Sequence, residues 1–275
     1  MKQLQGKIAL VTGAAMGMGK KIAECLLAEG CRLAIVDINA DALEAARQSL
    51  GKKGECQAFT CDIADRDSVR ALAASVDQAL GYVNILVNNA GIVRAASLLS
   101  LDDEDIERMI RINLTSQFWT CKAFLPGMQQ AGAGHIVNMA SAGGLLALPS
   151  LTAYCASKFG VVGFSEALRQ ELKRARLPIG VTCVCPNTVN TGMFEGARTV
   201  RGTRMLRPED VAAQVVRALH HPVPRNAVMT WVQESQLGRG SRLLGLVGAK
   251  LALQHNIGLG GAAVVAMYEK ADLGA

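Results

Sequence analysis

The sequence predicts an α/β protein: a doubly wound parallel sheet of about seven strands, helices on both faces, and a C-terminal helical extension. Three observations carry this. Short β-like runs alternate with longer helical patterns over residues 1–232, as strand–helix–strand units covering a parallel sheet require. A glycine-rich turn, Thr12-Gly13-Ala14-Ala15-Met16-Gly17-Met18-Gly19, joins the first such run to the first helical segment. Half of the 275 residues are hydrophobic, enough to bury a sheet on both faces.

Taken in order, residues 7–12 form the first expected strand and 17–29 the helix after the glycine turn. Residues 32–37 give a second strand and 40–50 a second helix, stopped by Gly51 and Gly54. A third strand over 56–61 leads to a helix over 65–80 and a fourth strand over 85–88. Residues 102–127 carry one long helical pattern, its first turn crowded with Asp and Glu as the helix dipole favours. A fifth strand over 135–139 precedes a helix over 153–175 and a sixth strand over 180–185. Pro208 opens a helix over 208–219, since proline fits the first helical position, and 227–232 is a seventh strand. No repeat and no linker interrupts the chain, so 1–232 reads as one domain and 233–275 as an extension packed on it.

Composition narrows the function classes. The net charge of +6 comes from near the C-terminus: residues 196–255 hold nine Lys and Arg against three Asp and Glu. Anionic lipid, an acidic substrate or a solvated loop rim each fits that excess. Trp231 is the one aromatic residue among these arginines, too few to interleave with them, so a nucleic-acid partner is not expected. The eight cysteines show no CxxC pair and mostly sit in apolar segments, which points to buried free thiols in a reducing cytoplasm. The four histidines form no ligand pattern, and no metal site is expected. Residues 1–10 read as a partly polar lead-in rather than a signal peptide. No uninterrupted apolar run reaches the roughly eighteen residues of a membrane span.

The chemistry concentrates in Tyr154-Cys155-Ala156-Ser157-Lys158, with Ser141 upstream. A phenol and an ammonium four residues apart share a helix face. There the charge can stabilise a phenolate and draw the tyrosine pKa down from about 10 toward working pH. A tyrosine tuned in that way takes a proton from an alcohol or returns one to a ketone. The glycine turn, between a first strand and a first helix, lets a pyrophosphate approach backbone N–H groups. Asp37 ends the second strand, where a carboxylate accepts both hydroxyls of an adenosine ribose and repels a 2′-phosphate. No arginine follows it and position 16 is methionine, so NAD is favoured over NADP.

These residues together resemble the short-chain dehydrogenase/reductase superfamily over residues 5–232. The shared motifs are the turn at 12–19, Asp37, Asp62-Ile63, Asn88-Asn89-Ala90-Gly91, Asn113, Ser141, Tyr154 and Lys158. Longer stretches are similar to the branch of retinol dehydrogenases and 17-beta-hydroxysteroid dehydrogenases found at lipid membranes and droplets. Phe118-Trp119-Thr120-Cys121-Lys122-Ala123-Phe124-Leu125-Pro126 is one, and Cys185-Pro186-Asn187-Thr188-Val189-Asn190-Thr191-Gly192 is another. Asparagine after Pro186 departs from the superfamily's usual glycine and fits that branch.

The resemblance implies a single-domain Rossmann fold and a catalytic set of Asn113, Ser141, Tyr154 and Lys158. Tyr154 would be the general acid/base, and Lys158 would lower its pKa and bind the nicotinamide ribose. Ser141 would donate to the substrate oxygen, and Asn113 would hold a water linking Lys158 to solvent. Gly13, Gly17, Met18 and Gly19 would cradle the pyrophosphate, Asp37 the ribose, and Asp62 and Ile63 the adenine. Asn89, Ala90 and Gly91 would line the ribose, and Pro186, Val189 and Thr191 the carboxamide and phosphate side.

In the superfamily the two helices bearing Phe118 and Tyr154 pair across a dimer interface, so a homodimer or homotetramer is implied. A thick core explains their apolar residues equally well. From Arg239 the chain is apolar with cationic punctuation. It either packs over the substrate mouth or a neighbouring subunit, or rests on an anionic membrane as interfacial helices do. The expected reaction interconverts a lipophilic alcohol, such as a retinoid or steroid, with its carbonyl. The alternatives are an NADPH-dependent ketoreductase of the 3-oxoacyl-carrier-protein type and a cofactor-sensing binding protein without turnover. A cytoplasmic protein, peripheral at a membrane if the extension docks there, completes the expectation.

Overall fold

β-Branched and aliphatic runs form the strands, and successive side chains divide between two faces. In β1 (Ile8–Thr12), Ala9 and Val11 enter one core cluster while Ile8 and Leu10 enter the other. The computed structural model describes residues 1, 3–193, 205–220 and 229–231, all within one compact unit. The expected extension, and residues 194–204 of the loop after the sixth strand, lie outside the described residues.

β1 is followed by α1 (Gly17–Ala28), β2 (Arg32–Asp37), α2 (Ala40–Gly51), β3 (Cys56–Thr60), α3 (Arg66–Leu80) and β4 (Ile85–Asn88). Then come α4 (Asp103–Ile110), α5 (Ser116–Gln130), β5 (Gly134–Met139), α6 (Thr152–Arg174), β6 (Ile179–Cys185), α7 (Pro208–His220) and β7 (Met229–Trp231). Side-chain caps start two of the helices: Asn39 accepts from the Ala42 N–H, and Asp65 from the Ser68 N–H.

The seven strands are parallel and run β3-β2-β1-β4-β5-β6-β7. The strand order reverses between β1 and β4, the place where open α/β sheets bind ligands at their carboxyl edge. One face packs residues of α1, α2 and α7, such as Ile22, Leu50 and Val215. The other packs residues of α3, α5 and α6, such as Val76, Phe124 and Leu168.

The one long helix expected over 102–127 is helical throughout but broken in pitch. Residues Arg111–Thr115 form a π turn between α4 and α5. Asn113 at its centre is fully buried and its side chain is tied to the Ile92 backbone and Ser157, distant in sequence, and the widened turn presents it to them. α5 also runs past Pro126 to Gln130.

The apolar residues of α5 and α6 are not all core. Phe124, Leu168 and Leu172 are core, while Phe118 is 43% exposed and stacks on Phe164 with centroids 4.1 Å apart. All eight cysteines are free thiols, seven of them buried. No helix among the described residues is long and apolar enough to cross a membrane.

Candidate active site

The β1–α1 turn is stapled to the segment after β4. Thr12 Oγ1 accepts from the N–H groups of Asn89 and Ala90 at 3.0 and 3.1 Å. Asn89 Nδ2 donates back to the carbonyls of Thr12 and Gly13 at 2.9 and 3.1 Å. At Gly13 φ is +64°, and an added Cβ would lie 2.8 Å from Ala90 Cα; at Gly19 it would strike the Gly13 carbonyl oxygen. Only glycine lets these backbones meet.

A dinucleotide fits this cradle. The first turn of α1 has no acidic residue and no side-chain cap, so its N–H groups are open to a phosphate. Asn89 Oδ1 is buried without a hydrogen-bond partner among the described residues, as an acceptor kept for a ligand hydroxyl would be. Gly13, Gly17, Met18 and Gly19 form the floor. Thr191 reaches across from the loop after β6, its Cβ 3.5 Å from where a Cβ at Gly17 would sit.

Asp37 aims back at this turn. One carboxylate oxygen accepts from the Ala15 N–H at 3.1 Å and the other from the Asn39 N–H at 3.1 Å. Its neighbours Met16 and Ile38 are apolar and largely exposed. Asp62 and Ile63 follow β3 at the same edge. Asp62 is exposed and accepts from the Ala64 N–H, whereas the Ile63 side chain enters the core, leaving its backbone for a ligand.

Ser141, Tyr154 and Lys158 line one cleft with Met18, Asn89 and Gly91. Pro186, Val189 and Thr191 form its other wall. That wall is anchored, since the Pro186 carbonyl accepts from the Ala142 N–H and Val189 bridges to Leu206. Ser141 Oγ accepts from the Gly143 N–H at 3.1 Å and is hydrogen-bonded to the Tyr154 hydroxyl.

The electrostatics correct one expectation. Burial pushes the Tyr154 phenol up to about 12, against the lowering effect of Ser141. Lys158 stands beside this phenol. Its Nζ donates to the Met139 carbonyl at 2.9 Å and stands 5.8 Å from the Tyr154 ring centroid. Burial also pulls Lys158 down to about 8, because an ammonium in an apolar surround favours its neutral form.

Asn113 does not line the cleft but reaches it through Gly91, where an added Cβ would lie 3.1 Å from Asn113 Oδ1 and 3.5 Å from Lys158 Nζ. Its two amide N–H groups are both spent, while its oxygen keeps one lone pair free. Oδ1 accepts from the Ile92 N–H, and Nδ2 donates to the Ile92 carbonyl and to Ser157 Oγ. The Asn113 backbone carbonyl accepts from Gln117 Nε2 at 3.0 Å.

Four contributors escaped the sequence reading as site residues. Thr12 and Ser157 lay inside the motifs, and their stapling roles were legible from their hydroxyls. The Met139 carbonyl and the Ile92 backbone carry no side-chain signal at all.

Known proteins agree with this geometry. The short chain dehydrogenase family model matches residues 7–201. Human estradiol 17-beta-dehydrogenase 11 is 38% identical over 220 residues, 79% of this chain and 73% of that protein. Retinol dehydrogenase 10 of Xenopus tropicalis is 37% identical over 249 residues, with 79% and 73% covered. A short chain dehydrogenase/reductase from Burkholderia phymatum, solved in complex with NAD, superposes with a TM-score of 0.79. It is 27% identical and covers 93% of this chain and 95% of that one. A cleft that brings a tyrosine, a serine and a lysine to a dinucleotide cradle thus sits in a chain that belongs to the short-chain dehydrogenase/reductase superfamily, in its retinol and hydroxysteroid dehydrogenase branch, as an oxidoreductase of CH–OH groups.

Proposed function

We propose that this protein is an NAD-dependent oxidoreductase that interconverts a lipophilic alcohol, a retinoid, steroid or similar molecule, and its carbonyl. The observation that carries this reading is the meeting of Ser141, Tyr154 and Lys158 in one cleft with Met18 of the glycine turn. When bound, the dinucleotide supplies the hydride acceptor or donor. Tyr154 holds the transferable proton on its hydroxyl, and Ser141 donates to the substrate oxygen as charge develops there. Lys158 keeps two N–H groups beyond the one on Met139, available for ribose hydroxyls and for the phenolate's charge. With its phenol protonated at neutral pH, the ligand-free site presents the acid form suited to carbonyl reduction. Alcohol oxidation needs the phenolate, so its rate rises with pH.

NAD over NADP rests on Asp37, which accepts ribose hydroxyls, repels a 2′-phosphate and has apolar neighbours in Met16 and Ile38. The lipophilic substrate rests on the apolar wall around Tyr154, built from Leu101, Met109 and Ala153 with Ile92, Val93 and Leu151 packed against them. The retinol and estradiol in the relatives' names suit such a wall. The exposed Phe118 supports a homodimer or homotetramer built on α5 and α6.

The test is calorimetric titration with NAD(H) and NADP(H), followed by a screen of estradiol, all-trans-retinol and a medium-chain secondary alcohol. Tight NAD(H) and weak NADP(H) are expected. The reverse preference overturns the Asp37 assignment and points to the NADPH-dependent ketoreductase.

A further inference from the structure

At the edge of the sheet opposite the cleft, where β5 and β6 begin, the described residues enclose a groove of about 940 Å³, within the size range of small-molecule sites. Its cations come from two places in the chain: Lys7 just ahead of β1, and Lys173 and Arg176 at the end of α6. None of these three forms an ion pair among the described residues, and no described Asp or Glu lines the groove. Arg169 on the same wall is paired with Glu166. Leu177, Ile179 and Val181 make the groove's apolar side.

Two features separate this cluster from an ordinary solvated helix end. The dipole of α6 favours cations in its last turn, which accounts for Lys173 but not for Lys7, brought in from another element. Arg176, in turn, stands at φ +57°. Its N–H donates to the Lys173 carbonyl and the Leu177 N–H to the Leu172 carbonyl, the closing pair of bonds that usually places glycine at this position. A long cation where the backbone favours glycine is a local strain of the kind folds keep at functional sites.

The floor supplies a directed donor. His135 is 3% exposed, and burial keeps its ring neutral by pulling its pKa down to about 4. Its Nε2 lies 2.8 Å from Thr182 Oγ1, the one hydrogen bond of either side chain among the described residues. A buried hydroxyl proton needs an acceptor, so the Thr182 hydroxyl donates to Nε2 and the ring proton sits on Nδ1. That nitrogen faces Gly180, where an added Cβ would lie 2.5 Å away. Both residues line the groove, and the missing side chain leaves the N–H open to it.

We propose that this groove binds a single-chain anionic amphiphile. Lys7, Lys173, Arg176 and the His135 Nδ1–H hold its phosphate or carboxylate head, and its alkyl chain lies along Leu177, Ile179 and Val181. The head chemistry follows from three unpaired cations and a neutral donor with no carboxylate among them. The chain follows from the apolar wall. A flat bilayer does not reach a donor on the floor, so the ligand enters as a monomer. The site lies at the far end of the strands from Tyr154 and needs nothing from the proposed reaction.

Calorimetry on the full chain with decyl phosphate, kept below its micelle-forming concentration, tests this. One site per chain is expected, about a hundredfold tighter than for inorganic phosphate. The triple variant Lys7→Gln, Lys173→Gln, Arg176→Gly should bind decyl phosphate at least about tenfold more weakly, with NAD binding unchanged. Should the triple variant fail to fold, Arg176→Gly alone, which suits the helix cap, should still weaken binding about threefold. Unchanged affinity in the folded variant would put the probe in the substrate cleft and overturn the site. Proton–nitrogen correlation spectra of the imidazole rings give a second reading. They should show His135 protonated on Nδ1 and its signals moving as decyl phosphate is added; a proton on Nε2, or signals that stay still, contradicts the floor donor. Inorganic phosphate binding as tightly as decyl phosphate would leave only an ion site and overturn the amphiphile. Capture by phosphatidylserine–phosphatidylcholine vesicles, without binding of monomeric decyl phosphate, would make this face a membrane contact and overturn it too.

Discussion

The two halves of the sheet bury different things. Among the described residues up to 87 the only buried polar one is Thr12, and α1, α2 and β1–β3 enclose aliphatic side chains. From Asn88 onward the described residues bury eleven more, among them Asn113, Gln117, Asn138, Ser157 and Lys158. Asn88, Asn138 and Cys183 stand level on three adjacent strands. Asn88 donates to Asn138 and accepts from Thr120, and Asn138 donates to Ser165. In the proposed function the first half offers its ligand backbone N–H groups and the partly exposed Asp37 carboxylate, which need only a rigid apolar frame. In the same reading the second half offers side chains that hold and move protons, and those need buried partners of their own.

The largest effect that sharpens this contrast is expected at Tyr154. Tyr154→Phe should lower kcat by about 10³-fold, within the range for losing a general acid/base, while NAD binding by calorimetry stays within about twofold. The opposite pattern is expected in the apolar half. Leu50→Ala on α2, at 1% exposure, should cost about 3 kcal/mol in urea unfolding through the cavity it leaves, with kcat per folded molecule unchanged. If Leu50→Ala lowered kcat as Tyr154→Phe does, the division of labour between the halves would be wrong.

The same contrast explains what was legible in the sequence. Alternating aliphatic runs and helix-period patterns write themselves into residue type, so all seven strands were located to within two residues at each end. The cleft side chains were legible because their chemistry is unusual at their spacing. What stayed hidden was carried by backbone or by mutual arrangement. The π turn at Arg111–Thr115 arises from Asn113 bonding to the main chain of Ile92, twenty-one residues away. The Met139 carbonyl under Lys158 belongs to a residue whose side chain is ordinary core. The Tyr154 phenol was expected to fall toward neutrality because a lysine sits four residues on, but desolvation, which sequence spacing does not encode, dominates.

Acid should strain the polar half. His135 is buried, bonds Thr182 through Nε2 at 2.8 Å, and is pulled by burial from about 6.5 down to about 4. A base with a depressed folded pKa binds its proton in the unfolded chain first, so stability falls as pH drops from 6.5 toward 4. The loss should approach about 3 kcal/mol from this group. In His135→Gln that part of the slope should vanish, as read from urea midpoints at pH 4.5 and 7. A slope retained in full would mean that other groups carry the acid sensitivity.

The smallest predicted effect is the most discriminating. Lys158 is 5% exposed, forms no ion pair among the described residues, and has its pKa drawn by burial from about 10.5 down to about 8. At pH 7 it is nonetheless charged, so the fold carries an ammonium it would be more stable without. Lys158→Met should abolish turnover yet raise stability at pH 7 by about 2 kcal/mol, the desolvation penalty less the bond to Met139. The gain has a pH signature. As pH rises from 8 to 10.5 the folded protein has shed the proton while the unfolded chain still binds it, so the wild-type chain gains stability. The advantage of Lys158→Met should therefore shrink across that window. A variant that loses both turnover and stability at pH 7 would make Lys158 a structural support rather than a cost the polar half sustains for its chemistry.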